Sequence, residues 1–177
     1  MSDFRCRSDS VKEWKDLVRA GDSISLSGVI YTARDAAHKR IFAALASGGS
    51  LPFDPDGAVI YYAGPTPAKG GLAVGSCGPT TSSRMDRYTP RLMELGVAAT
   101  IGKGPRNEEV RDAIIRYGGL YLCAVGGAGA LIAKCIESVR VIAYDDLGCE
   151  SVKEMVVRDL PLFVGIDSKG NSAFANI

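Results

Sequence analysis

Three basic residues occupy positions where an anion could bind. Arg34 follows a strand-like segment, Arg84 follows a run of hydroxyl side chains, and Lys103 stands between two glycines after another strand-like segment. Ligands of open α/β sheets bind outside the carboxyl ends of the strands, and helix N-termini add free N–H groups that favour anions. Because an arginine can bind a carboxylate through two parallel hydrogen bonds, the three cations predict a pocket for a small dicarboxylate. For any one of them, a solvated surface charge is the alternative.

Hydroxyl and imidazole side chains accompany these cations. Thr80 and Thr81 come shortly before Arg84, where a hydroxyl usually caps a helix but could have a functional role. His38 is the single histidine and follows Arg34 by one helical turn, so both side chains can project from the same face of a helix. A lone helical histidine is more often structural than catalytic. The residues alone leave both roles open for each of these side chains.

Alternating strand and helix patterns are expected to position these residues. Strands are predicted at residues 23–32, 58–63, 97–101, 120–125 and 139–144, and helices at 11–20, 34–47, 83–95, 107–117, 128–138 and 149–157. Thr32 and Asp35 have the spacing of a helix N-terminal cap, and Asn107 is expected to cap the helix that follows it. We therefore predict an α/β fold, a single domain over residues 1–177 built on one sheet with flanking helices.

Two further segments have the composition of turns. Residues 64–78 hold five glycines and two prolines, which predicts an irregular segment. The C-terminus predicts a hairpin that turns at residues 167–171.

Composition excludes several classes of protein. The chain has 177 residues, of which 46% are hydrophobic and 23% are charged, and its net charge of +1 creates no overall field for nucleic acid or membrane. No apolar run reaches the roughly 18 residues that a membrane helix needs. The polar N-terminal segment lacks an apolar signal core, and we expect a cytoplasmic protein.

The five cysteines follow no ligand spacing. They form no C-x-x-C pair, no zinc pattern and no closely spaced run of the ferredoxin type. An odd count without a secretion signal argues against a disulfide framework. We interpret them as free thiols that pack as small hydrophobes, and we expect no iron–sulfur cluster on this chain.

A glycine-rich turn at residues 126–130 follows one predicted strand and opens a helix, which is the position of a dinucleotide-binding fingerprint. Ile132 stands where the fingerprint needs Gly or Ala, and Asp145 and Asp146 come slightly early for a ribose contact. The pattern favours a tight turn that could line a crevice. A nucleotide-binding module without enzymatic activity is the alternative from a different functional class.

Four motifs resemble, in order, those of the iron–sulfur (class I) fumarate hydratase and L-tartrate dehydratase family. They are residues 27–38 (SGVIYTARDAAH), 78–86 (GPTTSSRMD), 102–104 (GKG) and 118–130 (GGLYLCAVGGAGA). The resemblance covers nearly the whole chain and is to the β subunit, or to the C-terminal domain of the fused enzymes. It implies a swivelling β/β/α domain.

The resemblance also implies an active site shared between two parts. An α subunit holds a [4Fe–4S] cluster through three cysteines, with one iron left open, and the site lies between α and β. In this chain Arg34, Arg84 and Lys103 would bind the substrate carboxylates, and Thr80 would be the base or proton relay. Three other positions in the matching motifs have no assigned role, namely His38, Thr81 and Asp35.

This implied chemistry agrees with general physical principles. The open iron would act as a Lewis acid on the hydroxyl, while the cations stabilise the charge that develops as the C–H bond breaks. A neutral threonine is a poor base unless nearby charge activates it.

We expect a fumarate hydratase β subunit, which interconverts fumarate and L-malate together with its α subunit. The L-tartrate dehydratase β subunit, acting from tartrate to oxaloacetate, is an alternative that the sequence does not separate. The expected partners are the α subunit and a small dicarboxylate substrate. The expected assembly is a hetero-oligomer, with a homo-oligomer as an alternative for the isolated chain.

Overall fold

A computed structural model describes residues 3–174. Its strands are β1 (Asp3–Arg7), β2 (Ser23–Thr32), β3 (Val59–Tyr61), β4 (Ala99–Gly102), β5 (Leu120–Cys123), β6 (Ile136–Ala143) and β7 (Val152–Ile166). They form one seven-stranded sheet in the order β1-β2-β3-β4-β5-β7-β6, and β2 also pairs with β7. This extra pairing closes β2, β3, β4, β5 and β7 into a five-stranded, barrel-like sheet.

Strand direction determines where loops can meet. β2, β3, β4 and β5 run parallel, whereas β7 runs antiparallel to β2 and β5. Every residue of β3, β4 and β5 is buried, as expected for short apolar strands in a parallel arrangement. The carboxyl ends of four parallel strands therefore lie together at one edge.

The helices are short and lie around this sheet. They are α1 (Val11–Trp14), α2 (Asp35–Ala46), α3 (Thr89–Glu94), α4 (Glu108–Tyr117) and α5 (Gly129–Ala133), with 3-10 turns at Ser8–Ser10, Ser82–Met85 and Asp145–Glu150. Among the described residues, no helix combines the length and apolarity needed to cross a bilayer.

Several predictions from the sequence are confirmed. The chain has a mixed α/β fold on one sheet, β2 has the predicted bounds, and residues 64–78 contain no helix or strand. The Asn107 side chain caps α4 by accepting a hydrogen bond of 3.0 Å from the backbone N–H of Val110. The predicted turn after β7 is present, with Gly170 N–H donating to the Asp167 carbonyl, although the returning strand is only a bridge between Ile166 and Ser172.

Two predicted helices near the C-terminus are wrong in whole or in part. Residues 149–157 are not a helix, because the Asp145–Glu150 turn leads directly into β7, whose pairing with β2, β5 and β6 outweighs local preference. The helix predicted at 128–138 ends at Ala133, since Ile136 begins β6.

Three corrections concern the other helices. The predicted helix 83–95 is split into the Ser82–Met85 turn and α3, with Pro90 in the first turn of α3, where it is tolerated. The predicted helix 11–20 ends at Trp14, and the strand β1 was not predicted. The Thr32–Asp35 cap is wrong, because the Thr32 hydroxyl accepts from the backbone N–H of Lys153 instead.

Candidate functional site

The predicted site residues gather at the carboxyl ends of the parallel strands. Arg34 follows β2, Gly64 follows β3, Lys103 follows β4 and Gly126 follows β5. The parallel register aligns these strand ends, so the loops share one edge of the sheet. That edge, which we call the strand-end site, consists of the carboxyl ends of parallel strands, where ligands bind in both open α/β sheets and closed α/β barrels.

Arg34 lies in a narrow slot within the strand-end site. Its Nη2 is 3.7 Å from Oε1 of Glu150, and the two side chains are 24% and 25% exposed. A Cβ at position 64 would lie 3.0 Å from Arg34 Nη1, so Gly64 leaves the space that the guanidinium fills. The Nε of Arg34 is buried and has no hydrogen-bond partner. Arg34 is therefore confined but retains donors for a ligand.

Arg84 reaches the same edge through an ion pair with Asp35. Its Nε donates to Asp35 Oδ1 at 2.9 Å, and its Nη2 is 2.7 Å from Oδ2. Asp35 is the first residue of α2 and directly follows Arg34. The contact thus joins the Ser82–Met85 turn to the start of α2 and brings the two arginines into one neighbourhood.

The threonine and lysine motifs lie side by side. Thr81 and Lys103 form an isolated parallel bridge, and the backbone N–H of Ser82 donates to the Lys103 carbonyl at 2.9 Å. Thr80 N–H donates to the carbonyl of Tyr62 at 2.7 Å, which fixes the loop next to the end of β3. Thr80 is largely buried, whereas Thr81 and Lys103 are exposed.

Thr80 and Thr81 do not act as helix caps. The residue before the Ser82–Met85 turn is Thr81, and its side chain makes no capping hydrogen bond. Helix capping, which was the alternative role for these hydroxyls, is therefore wrong at the Ser82–Met85 turn.

His38 is a buried aromatic neighbour of the strand-end site. Its Nδ1 is 2.8 Å from the Arg34 carbonyl, to which it donates, and its ring stacks on Tyr88 and meets Tyr62 edge-on. Burial lowers the pKa of His38 to about 4, although the bond to the Arg34 carbonyl opposes that shift. At neutral pH the ring is uncharged and supports the backbone of Arg34.

The glycine-rich turn packs against the polypeptide. A Cβ at Gly129 would lie 3.0 Å from the backbone N of Gly78, and Cys77 N–H donates to the Gly129 carbonyl at 3.0 Å. A Cβ at Gly126 would lie 3.7 Å from Cδ of Lys103. After this turn come the five-residue α5 and then β6, which pairs antiparallel with β7, so the turn does not lead into the parallel strand that completes the βαβ unit of a dinucleotide site.

A buried ion pair supports the loop after Lys103 and was missed by sequence reasoning. Arg106 Nε is 2.6 Å from Asp86 Oδ1, and the two side chains are 0% and 8% exposed. The guanidinium also donates to Thr89 Oγ1 at 2.6 Å and lies 4.8 Å from the ring centre of Tyr121. Asp86 Oδ2 accepts from Asn107 N–H at 2.9 Å. The signal available in the sequence was the acid that ends the GPTTSSRMD motif.

Glu150 is a second residue that the sequence did not single out. Its Oε2 accepts a hydrogen bond of 3.0 Å from the backbone N–H of Ala36, in the first turn of α2. A carboxylate is favoured there because that N–H has no partner within the helix and the helix dipole is positive at this end. No local pattern around residue 150 indicates this long-range contact.

Comparison with known proteins identifies the family of this chain. The family model described as the fumarase C-terminus matches residues 5–177. The chain belongs to this family. Fumarate hydratase 2 of Leishmania major is 37% identical over 175 residues, which are 98% of this chain and 31% of that protein. The aerobic class I fumarate hydratase of Escherichia coli K12 is 39% identical over 156 residues, or 87% of this chain and 28% of that protein.

A third relative differs in length. A Methanocaldococcus jannaschii protein with the provisional name L(+)-tartrate dehydratase subunit beta is 40% identical over 166 residues, covering 90% of this chain and 85% of that protein. This member of the fumarase C-terminus family therefore spans under a third of the fumarate hydratases it matches and most of a protein named as a subunit.

Four of the five cysteines of this family member are poor ligands for an iron–sulfur cluster. Burial raises the pKa of Cys77 to about 12 and that of Cys123 to about 11, and it raises the pKa values of Cys6 and Cys135 as well. A metal ligand must be a thiolate, so these thiols are poor ligands. Within residues 3–174, no three His, Cys, Asp or Glu side chains come together as a metal site.

Proposed function

We propose that this chain is the β subunit of an iron–sulfur-dependent hydro-lyase that interconverts fumarate and L-malate. The proposal rests on one observation. The loops that carry Arg34, Arg84, Lys103 and Thr80 meet at the strand-end site. Both the relatives named as fumarate hydratases and the family membership support this reaction class.

In this proposal the cations bind and polarise the substrate. Arg34, Arg84 and Lys103 hold the two carboxylates, with each arginine able to use two parallel donors. When a C–H bond of L-malate breaks, negative charge spreads onto the adjacent carboxylate, and fixed cations stabilise that charge. The same contacts orient fumarate for the reverse addition of water.

Thr80 is proposed to move the proton at the reacting carbon. Thr80 is largely buried on the loop whose Thr81 forms a bridge with Lys103, and a cation brought close to the Thr80 hydroxyl would favour an alkoxide over a neutral hydroxyl. Thr81 is exposed one residue further along and is proposed to line the site without taking the proton.

An α subunit is proposed to complete the site and to hold the [4Fe–4S] cluster. Two observations support this division: the buried thiols of this chain are poor ligands, and one relative of nearly equal length is named as a subunit. Exposed apolar side chains also flank the glycine-rich turn at residues 126–130, since Val125 before it and Leu131 after it are each 62% exposed. We infer a cytoplasmic hetero-oligomer in which the closed barrel is a swivelling β/β/α domain.

L-tartrate dehydratase is the second candidate function. The M. jannaschii relative that carries this name is 40% identical and is covered over 85% of its length. The same cations would bind tartrate, which is also a four-carbon dicarboxylate.

Co-expression tests the proposal. The chain should be produced without oxygen together with a candidate α chain that carries three widely spaced cysteines, and the mixture separated by size. We expect one complex, with an interface of about 1,600 Å², that hydrates fumarate with higher kcat/KM than it dehydrates tartrate.

The isolated chain supplies the control. It should be colourless and without hydratase activity. A brown isolated chain with stoichiometric iron and sulfide would contradict the proposed division, and separate elution of the two chains would contradict the shared site. A higher kcat/KM for tartrate would select the second candidate.

A further inference from the structure

We propose that Glu150 is a positioning residue that orients Arg34 directly and Arg84 through the first turn of α2. This inference deepens the proposed function and rests on it for its catalytic meaning. Glu150 belongs to no motif of the sequence analysis, and it enters the strand-end site from the Asp145–Glu150 turn.

Both oxygens of Glu150 contact the segment that carries Arg34. Oε2 accepts from Ala36 N–H at 3.0 Å, and Oε1 is 3.7 Å from Arg34 Nη2. The contacts are to residues on either side of Asp35, so one carboxylate fixes both the helix start and the guanidinium. With each side chain about one quarter exposed, the carboxylate of Glu150 is partly shielded from water.

The contact to Ala36 extends the effect to the second arginine. Asp35 is next to Ala36 in the first turn of α2, and it holds Arg84 through the two contacts at 2.9 Å and 2.7 Å. A shift of that turn would move the Asp35 carboxylate and with it the Arg84 guanidinium. Glu150 and Asp35 thus form a pair of acids, each of which orients one arginine.

The turn that carries Glu150 is itself firmly held. Lys153 Nζ donates to the carbonyls of Gly148 at 2.9 Å and Cys149 at 3.1 Å. On the α2 side, Arg40 Nη1 donates to Asp146 Oδ1 at 2.7 Å. Glu150 therefore projects from a fixed support, which is what a positioning residue requires.

The geometry indicates that Glu150 orients Arg34 and leaves it able to bind a substrate. At 3.7 Å the contact of Glu150 to Nη2 is an ion pair outside hydrogen-bond distance, and Arg34 Nε has no hydrogen-bond partner. An arginine has five N–H donors, so a substrate carboxylate can bind without displacing Glu150.

Three variants separate the possible roles. Glu150→Ala removes both contacts, whereas Glu150→Gln keeps an oxygen acceptor for Ala36 N–H and removes the charge. Asp146→Asn is the matched control, because it weakens one exposed attachment of the same turn to α2 while Lys153 still holds that turn, and it does not touch Arg34. Each is measured in the anaerobic complex for KM and kcat, and in the ¹⁵N-labelled isolated chain for water exchange of the Arg34 Nε–H and for binding of succinate.

In the complex we expect Glu150→Ala to raise KM between about tenfold and 10²-fold, with a smaller change in kcat, since misplaced binding groups cost up to about 10²-fold. Glu150→Gln should raise KM less than Glu150→Ala, and Asp146→Asn should stay within about twofold of wild type. In the isolated chain, Glu150→Ala should speed exchange of the buried Arg34 Nε–H at least about tenfold and weaken succinate binding, because the guanidinium is no longer held.

Three outcomes overturn the inference. A fall in KM for Glu150→Gln means that Glu150 competes with the substrate, and equal effects of Asp146→Asn and Glu150→Ala mean that it only anchors the turn. Unchanged Arg34 exchange and succinate binding in both Glu150 variants mean that it does not orient Arg34. If the wild-type complex acts on neither fumarate nor tartrate, the proposed function fails, and the exchange and succinate measurements still decide the role of Glu150.

Discussion

Arg84 and Asp35 form an ion pair in which Arg84 Nε donates a hydrogen bond of 2.9 Å to Oδ1 and Nη2 lies 2.7 Å from Oδ2. The Arg84 side chain is half exposed, so screening by water limits the stability gained from the pair to under about 1 kcal/mol. The main effect of the pair is to orient the Arg84 guanidinium. Asp35 leaves three of the five N–H donors of that guanidinium unused. An arginine held in this way is prepared to bind a second carboxylate.

Removal of the Arg84 guanidinium should weaken substrate binding. In the active complex, Arg84→Ala would leave a buried substrate carboxylate without its partner, which costs roughly 2–5 kcal/mol. We expect a raised KM in steady-state assays, with kcat falling as well where the contact strengthens in the transition state. Arg91→Ala removes another half-exposed arginine that pairs with Glu94, and it should leave both constants near wild type. An unchanged KM for Arg84→Ala would remove Arg84 from substrate binding.

The hydroxyl of Thr80 should matter for turnover. Thr80→Val keeps the shape of the side chain and removes the hydroxyl, so kcat should fall by about 10²–10⁴-fold with KM nearly unchanged if that group transfers the proton. Thr80→Ser retains a hydroxyl and should recover most of the activity. Steady-state kinetics and thermal unfolding should be measured on both variants. A Thr80→Val complex that turns over at the wild-type rate would exclude Thr80 from proton transfer.

Removal of one partner from the buried pair of Arg106 and Asp86 should strongly destabilise the protein. Asp86→Ala would leave the Arg106 charge buried, at a cost of about 3–5 kcal/mol in the free energy of unfolding. Denaturant unfolding of the isolated chain measures this change in the free energy of unfolding. Lys12→Ala, which breaks the exposed contact to Asp56, should cost no more than about 1 kcal/mol. Similar losses in the two variants would contradict the role of burial.

His38 should make stability depend on pH in a defined window. Its pKa is lowered by burial from 6.5 to about 4 in the folded chain, so between these values the unfolded state takes up a proton that the folded state does not. The free energy of unfolding should fall by up to roughly 3 kcal/mol as pH falls from 6.5 to 4, and His38 should have no effect above about pH 7.

The comparison with His38→Phe isolates this contribution. That variant has no imidazole to protonate, so its loss of stability between pH 7 and pH 4.5 in denaturant unfolding should be smaller than in wild type. Parallel pH profiles for the two proteins would show that His38 titrates normally in the folded state.

Local patterns were sufficient for the parts of the chain whose structure is set by near neighbours. The Asn107 cap and the bounds of β2 were predicted because an N-cap and an alternating strand are encoded within a few residues. Arg34, Arg84 and Lys103 were predicted to share an edge because each follows a strand or opens a helix, and the parallel order of β2 and β4 brings those ends together.

Distant contacts explain what the sequence did not reveal. The local pattern of residues 149–157 predicts a helix, yet β7 is stabilised by pairing with β2, β5 and β6, and its own residues give no sign of these partners. Glu150 contacts a residue 114 positions away, and Arg106 is buried only because Asp86, Thr89 and Tyr121 surround it. The sequence around a charged residue does not reveal that folding places a distant partner next to it.

Closure of the barrel has a consequence for how the protein is made. The backbone N–H of Lys153 bonds to the Thr32 hydroxyl across 121 residues, so β2 receives its β7 neighbour only after nearly the whole chain has been synthesised. Contacts of such long sequence separation slow folding, and until they form, β2 and β5 each present an open strand edge that can pair with other chains. A ribosome-bound chain that stops before Val152 should therefore aggregate or be bound by chaperones, and synthesis of β7 should govern the yield of soluble protein.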